Sequence, residues 1–332
     1  MINILEYPIE KKRDEFYDAL KGFAIFTMVL GHVITWFWAG RENDAFKENI
    51  YFNIIYSFHM FLLFFISGIF FPKENGYGYR KGIKVIWKRI QTLLIPFVSG
   101  GFLYYFFRGT DVTVLWFLRS LFVFFTINLF LEVFRYYIVS NLIIDIIYYM
   151  TMAFALFKLP EAITGGHPIH YIMYSIGILI KRYKMEGYIN SLRVFDISLI
   201  LFLVFNVLRQ KYPNFHLPTP LVVLCPLAGT CVFYYIFKNI FFKGQIYEFF
   251  KLLGFYSLEI YIIHGLFIYK IPQIGMFIDT LYGFKDDFIT RSNIGLFMAF
   301  VISIIVIFMS MLLIRVVETS KVLKYFLFGK NS

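Results

Sequence analysis

Lys21 and His32 lie eleven positions apart in the otherwise apolar run YDALKGFAIFTMVLGHVI. On an ideal helix that interval is about three turns plus 20°, with a rise of about 16 Å, so the two side chains share one face. Asp18 precedes Lys21 by three residues, close enough to pair with it and only modestly off the same stripe. One helix thus presents an acid–base pair near one end and an imidazole deeper along its length. Imidazole takes and gives protons near neutral pH, so the alignment reads as a polar channel with general acid–base capacity. The structural alternatives are a Lys21 that snorkels to an interface and a His32 that is a neutral, hydrogen-bonded core residue.

Further polar residues sit in similar apolar surroundings. SFHMFLLFFISGIF holds His59 and Ser67, LWFLRSLF sets Trp116 and Arg119 one turn apart, and YSLEIYIIHG carries Glu259 and His264. Ser257, Tyr261 and His264 follow the i, i+4, i+7 pattern of one helix face, whereas Glu259 lies about 140° from His264 and is not its obvious partner. Arg119 keeps its proton at physiological pH and needs a carboxylate, a phosphate or a dipole beside it. Either it holds an anionic group of a substrate, or it forms a structural ion pair with Glu132, Asp145 or Glu259. His167 and His170 in GGHPIHY have a ligand-like spacing, but no Cys, Asp or third His accompanies them and Pro168 reads as part of a loop, so no metal site is expected. Cys225 and Cys231, six residues apart in one apolar segment, point in different directions and make neither a disulfide framework nor a zinc site.

The elements that must carry these residues follow from composition. The chain has 332 residues, 59% hydrophobic and 22% aromatic with only 16% charged, and a mean hydropathy of +0.69. These values exclude an ordinary soluble enzyme. Apolar runs near the roughly 20 residues that cross a bilayer recur along the whole chain. Spans are expected near 16–38, 51–71, 90–107, 114–134, 138–157, 169–180, 194–208, 220–237, 252–270 and 294–314. The expected fold is therefore all-α, a polytopic integral membrane protein of about ten helices forming a single domain over 1–332. The segments 169–180 and 194–208 are short for a full crossing, so they either borrow flanking residues or form a re-entrant pair.

The first stretch, MINILEYPIEKKRDEF, is polar, so the helix after it reads as a retained span rather than a signal peptide. With the N-terminus inside, 22 of the 32 Lys and Arg residues fall on the inner side and 9 on the outer, with Arg119 inside a span. Both termini are then expected in the cytoplasm. The net charge of +11 is scattered through short loops, which argues against a nucleic-acid partner. The most basic stretch, PKENGYGYRKGIKVIWKR over 72–89, faces inward; it serves either as a topology determinant or as a seat for a cytosolic polyanion.

Taken in order, these stretches resemble the integral-membrane acyltransferase-three family, whose bacterial members O-acylate envelope glycans. The first span resembles the family's signature of a basic residue, ten residues and a histidine through Lys21 and His32, with Asp18 upstream. Phe58, His59, Met60, Ser67 and Gly68 resemble its second landmark. LWFL at 115–118 and IYIIH at 260–264 resemble later ones. The resemblance runs from about residue 13 to 315 and is closest to the stand-alone transmembrane members. The chain departs from it where many members carry an Arg-x-x-Arg pair, since WKRIQTLLIPF has Arg89 but Thr92. Lys88 or Lys84 would then substitute.

The resemblance implies a multi-pass protein of the bacterial cytoplasmic membrane that moves an acyl group, acetyl by default, from cytoplasmic acyl-CoA to a hydroxyl of a glycan or lipid-linked saccharide. Acetyl-CoA would be a donor substrate, and no cofactor is expected to stay bound. Lys21, Lys84, Lys88 and Arg89 could meet the phosphates of CoA. Trp116, Arg119, His59, Ser67 and His264 would bind donor or acceptor, with Arg119, His59 or His264 as a donor to a developing oxyanion. His32 would deprotonate the acceptor hydroxyl or carry the acyl group itself. The rival reading is a transporter or flippase for a lipid-linked glycan, since intramembrane Lys, Arg and His also mark transport pathways.

Overall fold

The computed structural model describes residues 13–37, 50–72, 79–109, 115–134, 141–160, 168–212, 222–241, 243–268 and 288–330. Among these residues every regular element is helical. In chain order they are α1 (Glu15–Phe37), α2 (Ile50–Ile69), α3 (Tyr79–Arg89), α4 (Ile95–Arg108), α5 (Trp116–Phe134), α6 (Leu142–Phe157), α7 (Pro168–Arg182), α8 (Leu192–Lys211), α9 (Leu224–Asn239), α10 (Gln245–Phe255), α11 (Ser257–Phe267), α12 (Phe288–Thr319) and α13 (Lys321–Phe328), with a short turn at Glu186–Ile189. The all-α polytopic expectation holds, and each apolar segment read from the sequence contains helix.

Among the described residues four helical stretches are long and apolar enough to cross a membrane: 15–35, 50–69, 81–108 and 295–319. A fifth arises if α10 and α11 count as one broken span. Hydroxyls within these helices are satisfied locally. Thr27, Thr35, Ser67, Ser99, Ser303 and Ser310 each donate to the carbonyl four residues earlier. Inside a bilayer no water would accept those hydrogens.

The structure refines the sequence reading in four places. The basic stretch around Lys84, Lys88 and Arg89 is helix rather than loop, and α3 continues into α4 through a π-turn at Ile90–Leu94. Pro96 lacks an N–H and its ring crowds the carbonyl of Thr92, so the helix widens there by one residue instead of keeping its i−4 ladder. The segment expected as one helix over 252–270 is broken at Tyr256, where the axis turns by 86°. Pro168 opens α7 rather than sitting in a loop, at a position where its missing N–H costs nothing. The segment expected at 194–208 extends to 20 residues in α8, about 30 Å of helix, by borrowing from both flanks.

The chain gathers into two compact units, one of residues 1–62 and 190–315, the other of residues 63–189 and 316–332. In the first, α1 and α10 meet backbone to backbone at Gly22 and Gly254. A Cβ at Gly22 would run into the carbonyl oxygen of Phe250, and one at Gly254 into that of Asp18. Such backbone approach is the usual device for helix pairing in lipid. Phe23, next to Gly22, fills the surrounding space against Phe233, Phe237 and Phe250 at centroid distances of 4.7, 5.1 and 5.6 Å. In the second unit, Gly68 of α2 meets the carbonyl of Tyr174 in α7 in the same way.

Candidate active site

The α1–α10 contact fixes the rotation of α1, and with it the stripe that holds Asp18, Lys21 and His32. Asp18 is buried and pairs with Lys21 Nζ at 2.7 Å and with Arg13 Nε at 3.2 Å, and it accepts a hydrogen bond from Arg13 Nη2 at 3.4 Å. Arg13 also lies over the ring of Phe255, 4.5 Å from its centroid. Lys21 keeps 20% of its side chain exposed, so it is held by Asp18 without being sealed. Glu259, also buried, lies within electrostatic reach of Lys21. By helical spacing Glu259 is not the partner of His264, and it sits instead in the field of the lysine.

Farther along α1, half-buried His32 meets His264 of α11, its Nδ1 lying 3.0 Å from His264 Nε2. The two rings are tilted by only 18°, and their centroids, 5.2 Å apart, exceed the nitrogen distance by about one ring diameter. They therefore lie nearly coplanar and end to end, as an in-plane hydrogen bond requires. His264 in turn places its Nδ1 2.9 Å from the carbonyl oxygen of Ile260, one helical turn back. The break at Tyr256 makes this meeting possible, because α10 follows the α1 backbone at Asp18 while α11 leaves at a steep angle.

His59 of α2 is 1% exposed and uses the same local device, with its Nδ1 2.7 Å from the Ile55 carbonyl. Tyr56 lies between the two sites, 4.9 Å from His59 and 6.5 Å from His32 by ring centroids. A carbonyl only accepts, so the ring hydrogens of neutral His59 and His264 are committed to it, and each Nε2 offers a lone pair rather than an N–H. Neutral histidines so arranged cannot donate to an oxyanion. Of the three residues considered for that role, Arg119 alone presents hydrogens without gaining a proton.

The other unit holds the remaining candidates. Arg119 of α5 has its Nε buried with no hydrogen-bond partner among the described residues. The carboxylates considered as its structural partners, Glu132 and Asp145, are instead bonded to Arg182 at the end of α7. The Arg182–Asp145 contact is 3.1 Å, and Tyr183 donates to the same carboxylate at 2.9 Å. Trp116, one turn before Arg119, lies 5.1 Å from the ring of His170 and 6.1 Å from Phe64. His170 thus belongs to an aromatic cluster on a helix, while His167 lies outside the described residues. Ser67 spends its hydroxyl hydrogen on the Leu63 carbonyl at 2.8 Å. Lys84 and Lys88 are exposed on α3, and Arg89 turns to the face of Phe125 at 4.5 Å.

Sequence reasoning missed two relations: the pairing of His32 with His264, and Arg182 as the counter-ion of two buried carboxylates. The first was foreshadowed only by two histidines in separate apolar runs. The second had no signal beyond a basic residue after an apolar helix.

A family model described as an acyltransferase domain matches residues 14–315. No curated protein and no solved structure matches the chain.

Proposed function

The chain belongs to the acyltransferase-three family and is a membrane acyltransferase, and from that premise we propose that it carries an acyl group, acetyl in the first instance, from acyl-CoA to a hydroxyl of an envelope glycan. Acyl-CoA is a donor substrate here, not a resident cofactor. The chain sits in the bacterial cytoplasmic membrane with both termini inside, and the acceptor is a glycan or lipid-linked saccharide.

The observation that carries this reading is the arrangement along α1: an ordered imidazole at His32, and a lysine held by Asp18 on the same face. His32 takes the proton of the acceptor hydroxyl as its oxygen attacks the thioester carbon. The tetrahedral intermediate collapses by breaking the carbon–sulfur bond, and the protonated imidazole returns the proton to the departing thiolate. The products are the O-acyl glycan and free CoA thiol. Lys21, fixed by Asp18, offers positive charge to the anionic donor. Arg119, whose buried Nε makes no hydrogen bond among the described residues, and Trp116 are substrate-binding groups of the second unit by this reading.

The test uses membrane vesicles carrying wild type or His32→Ala, incubated with acetyl-labelled acetyl-CoA. Label should enter the glycan fraction and free thiol should be released with wild type. His32→Ala should lower both by about 10²- to 10⁴-fold, the range of a lost general base. Full transfer by a folded His32→Ala protein would remove the base from the mechanism, and no thiol release by wild type would remove the proposed donor.

A further inference from the structure

Resting on that reading, we infer that His264 is a positioning residue that fixes the tautomer of His32, leaving Nε2 of His32 as the bare nitrogen that faces substrate. The argument is a chain of donors and acceptors in which each link decides the next. The carbonyl of Ile260 has no hydrogen, so the contact at 2.9 Å requires that His264 carry its proton on Nδ1. A neutral imidazole has one ring hydrogen, so His264 Nε2 holds a lone pair. The contact of that nitrogen with His32 Nδ1 at 3.0 Å then needs a hydrogen from His32. With its single hydrogen on Nδ1, neutral His32 has its lone pair on Nε2. Among the described residues no hydrogen bond is made at that nitrogen.

The carbonyl group of Ile260 is one turn before His264 on α11, so helix geometry alone supplies the first link. The second link crosses from α11 to α1 over 232 positions of sequence. The relay has the logic of a base oriented by a third group, with a second imidazole in place of a carboxylate. It also serves the charged stage. When His32 takes a proton on Nε2, its Nδ1–H becomes a stronger donor, and the His264 lone pair already lies on its axis. A donor placed at His264 Nε2 would reverse the arrangement, moving the His32 hydrogen to Nε2 and closing the base.

The test has two arms on the full chain in lipid nanodiscs. In the first, 15N chemical shifts of imidazole-labelled protein, assigned by comparison with His32→Ala, report which ring nitrogen of His32 carries hydrogen. The expected result is Nδ1–H in wild type, retained in His264→Gln, whose Oε1 can accept in place of Nε2, and lost in His264→Leu. This readout requires neither donor nor acceptor, so it stands apart from the acyl-transfer assay. The second arm measures transfer. His264→Leu should lower kcat by about 100-fold or more with little change in KM for acyl-CoA, His264→Gln should recover to within about tenfold of wild type, and His264→Lys should be as poor as His264→Leu. A His32 hydrogen on Nε2 in wild type, or equal activity in the Leu and Gln variants, overturns the inference. Full transfer by His32→Ala overturns the base reading itself while the tautomer result remains legible.

Discussion

Each unit of the protein buries a cluster of charge, and the two clusters are built from similar parts. Around Arg182 the guanidinium is bonded to Glu132 and Asp145, and the Tyr183 hydroxyl adds a hydrogen to the second carboxylate. Both carboxylates are almost fully buried and Arg182 is 11% exposed. Along α1, Asp18 also gathers two cations, Arg13 and Lys21, yet the lysine remains partly open and the stripe runs on to an imidazole. There the hydrogen-bond chain through His264 ends on a nitrogen that no described residue fills. The difference teaches that buried charge alone does not mark chemistry. The Arg182 cluster ties α5, α6 and α7 together and spends its hydrogens on protein carboxylates. The α1 cluster orders its groups and leaves the His32 lone pair for another molecule.

Removing one charge from each cluster separates a structural role from a chemical one. Arg182→Ala leaves two carboxylates buried together without a cation, so it should lower stability by about 3–5 kcal/mol, read from thermal unfolding in nanodiscs. Adding Glu132→Gln and Asp145→Asn to it should recover most of that loss, because no uncompensated charge remains. An unchanged unfolding midpoint for Arg182→Ala would mean the two clusters do not differ in the way described.

Gly254→Val probes the packing that turns the α1 stripe. Its side chain must displace the α1 backbone at Asp18, at a cost of about 1–3 kcal/mol, and transfer should fall by more than the stability loss accounts for because Lys21 and His32 rotate together. Loss of transfer in proportion to folded protein alone would show that the α1 register is not critical. The mildest change is Lys21→Arg. It keeps the charge beside Asp18, so transfer should remain within about tenfold of wild type, whereas Lys21→Met should lose it more deeply. Equal activity of the two variants would take the charge of Lys21 out of the mechanism.

Much of the α1 site was legible in the sequence because its residues belong to one helix. A separation of eleven positions puts Lys21 and His32 on one face whatever the helix packs against, and the three-residue step from Asp18 to Lys21 allows the ion pair found at 2.7 Å. The all-α, membrane-embedded architecture was legible for the same local reason, through long apolar runs. The surroundings of Arg119 were not legible. Glu132 was a sound choice by proximity in the chain, but Glu132 and Asp145 meet Arg182 because α7 packs beside α6. Sequence spacing carries no information about which face one helix turns toward another. The break at Tyr256 escaped notice because no Pro marks it and Gly254, two residues earlier, stands alone in an apolar run that reads as an unbroken helix.

The sequence by itself determined the helices, the shared face of Asp18, Lys21 and His32, and the family the chain belongs to, since each depends on residue identity and on spacings of a few turns. The tertiary structure alone decided that His264 meets His32 and therefore which nitrogen of His32 is bare. That assignment needs a backbone approach at Gly22 and Gly254 to set the rotation of α1, and an 86° turn to bring in α11. Hydrogen bonds act over about 3 Å, and a periodic pattern in one segment cannot place an atom in another to that distance.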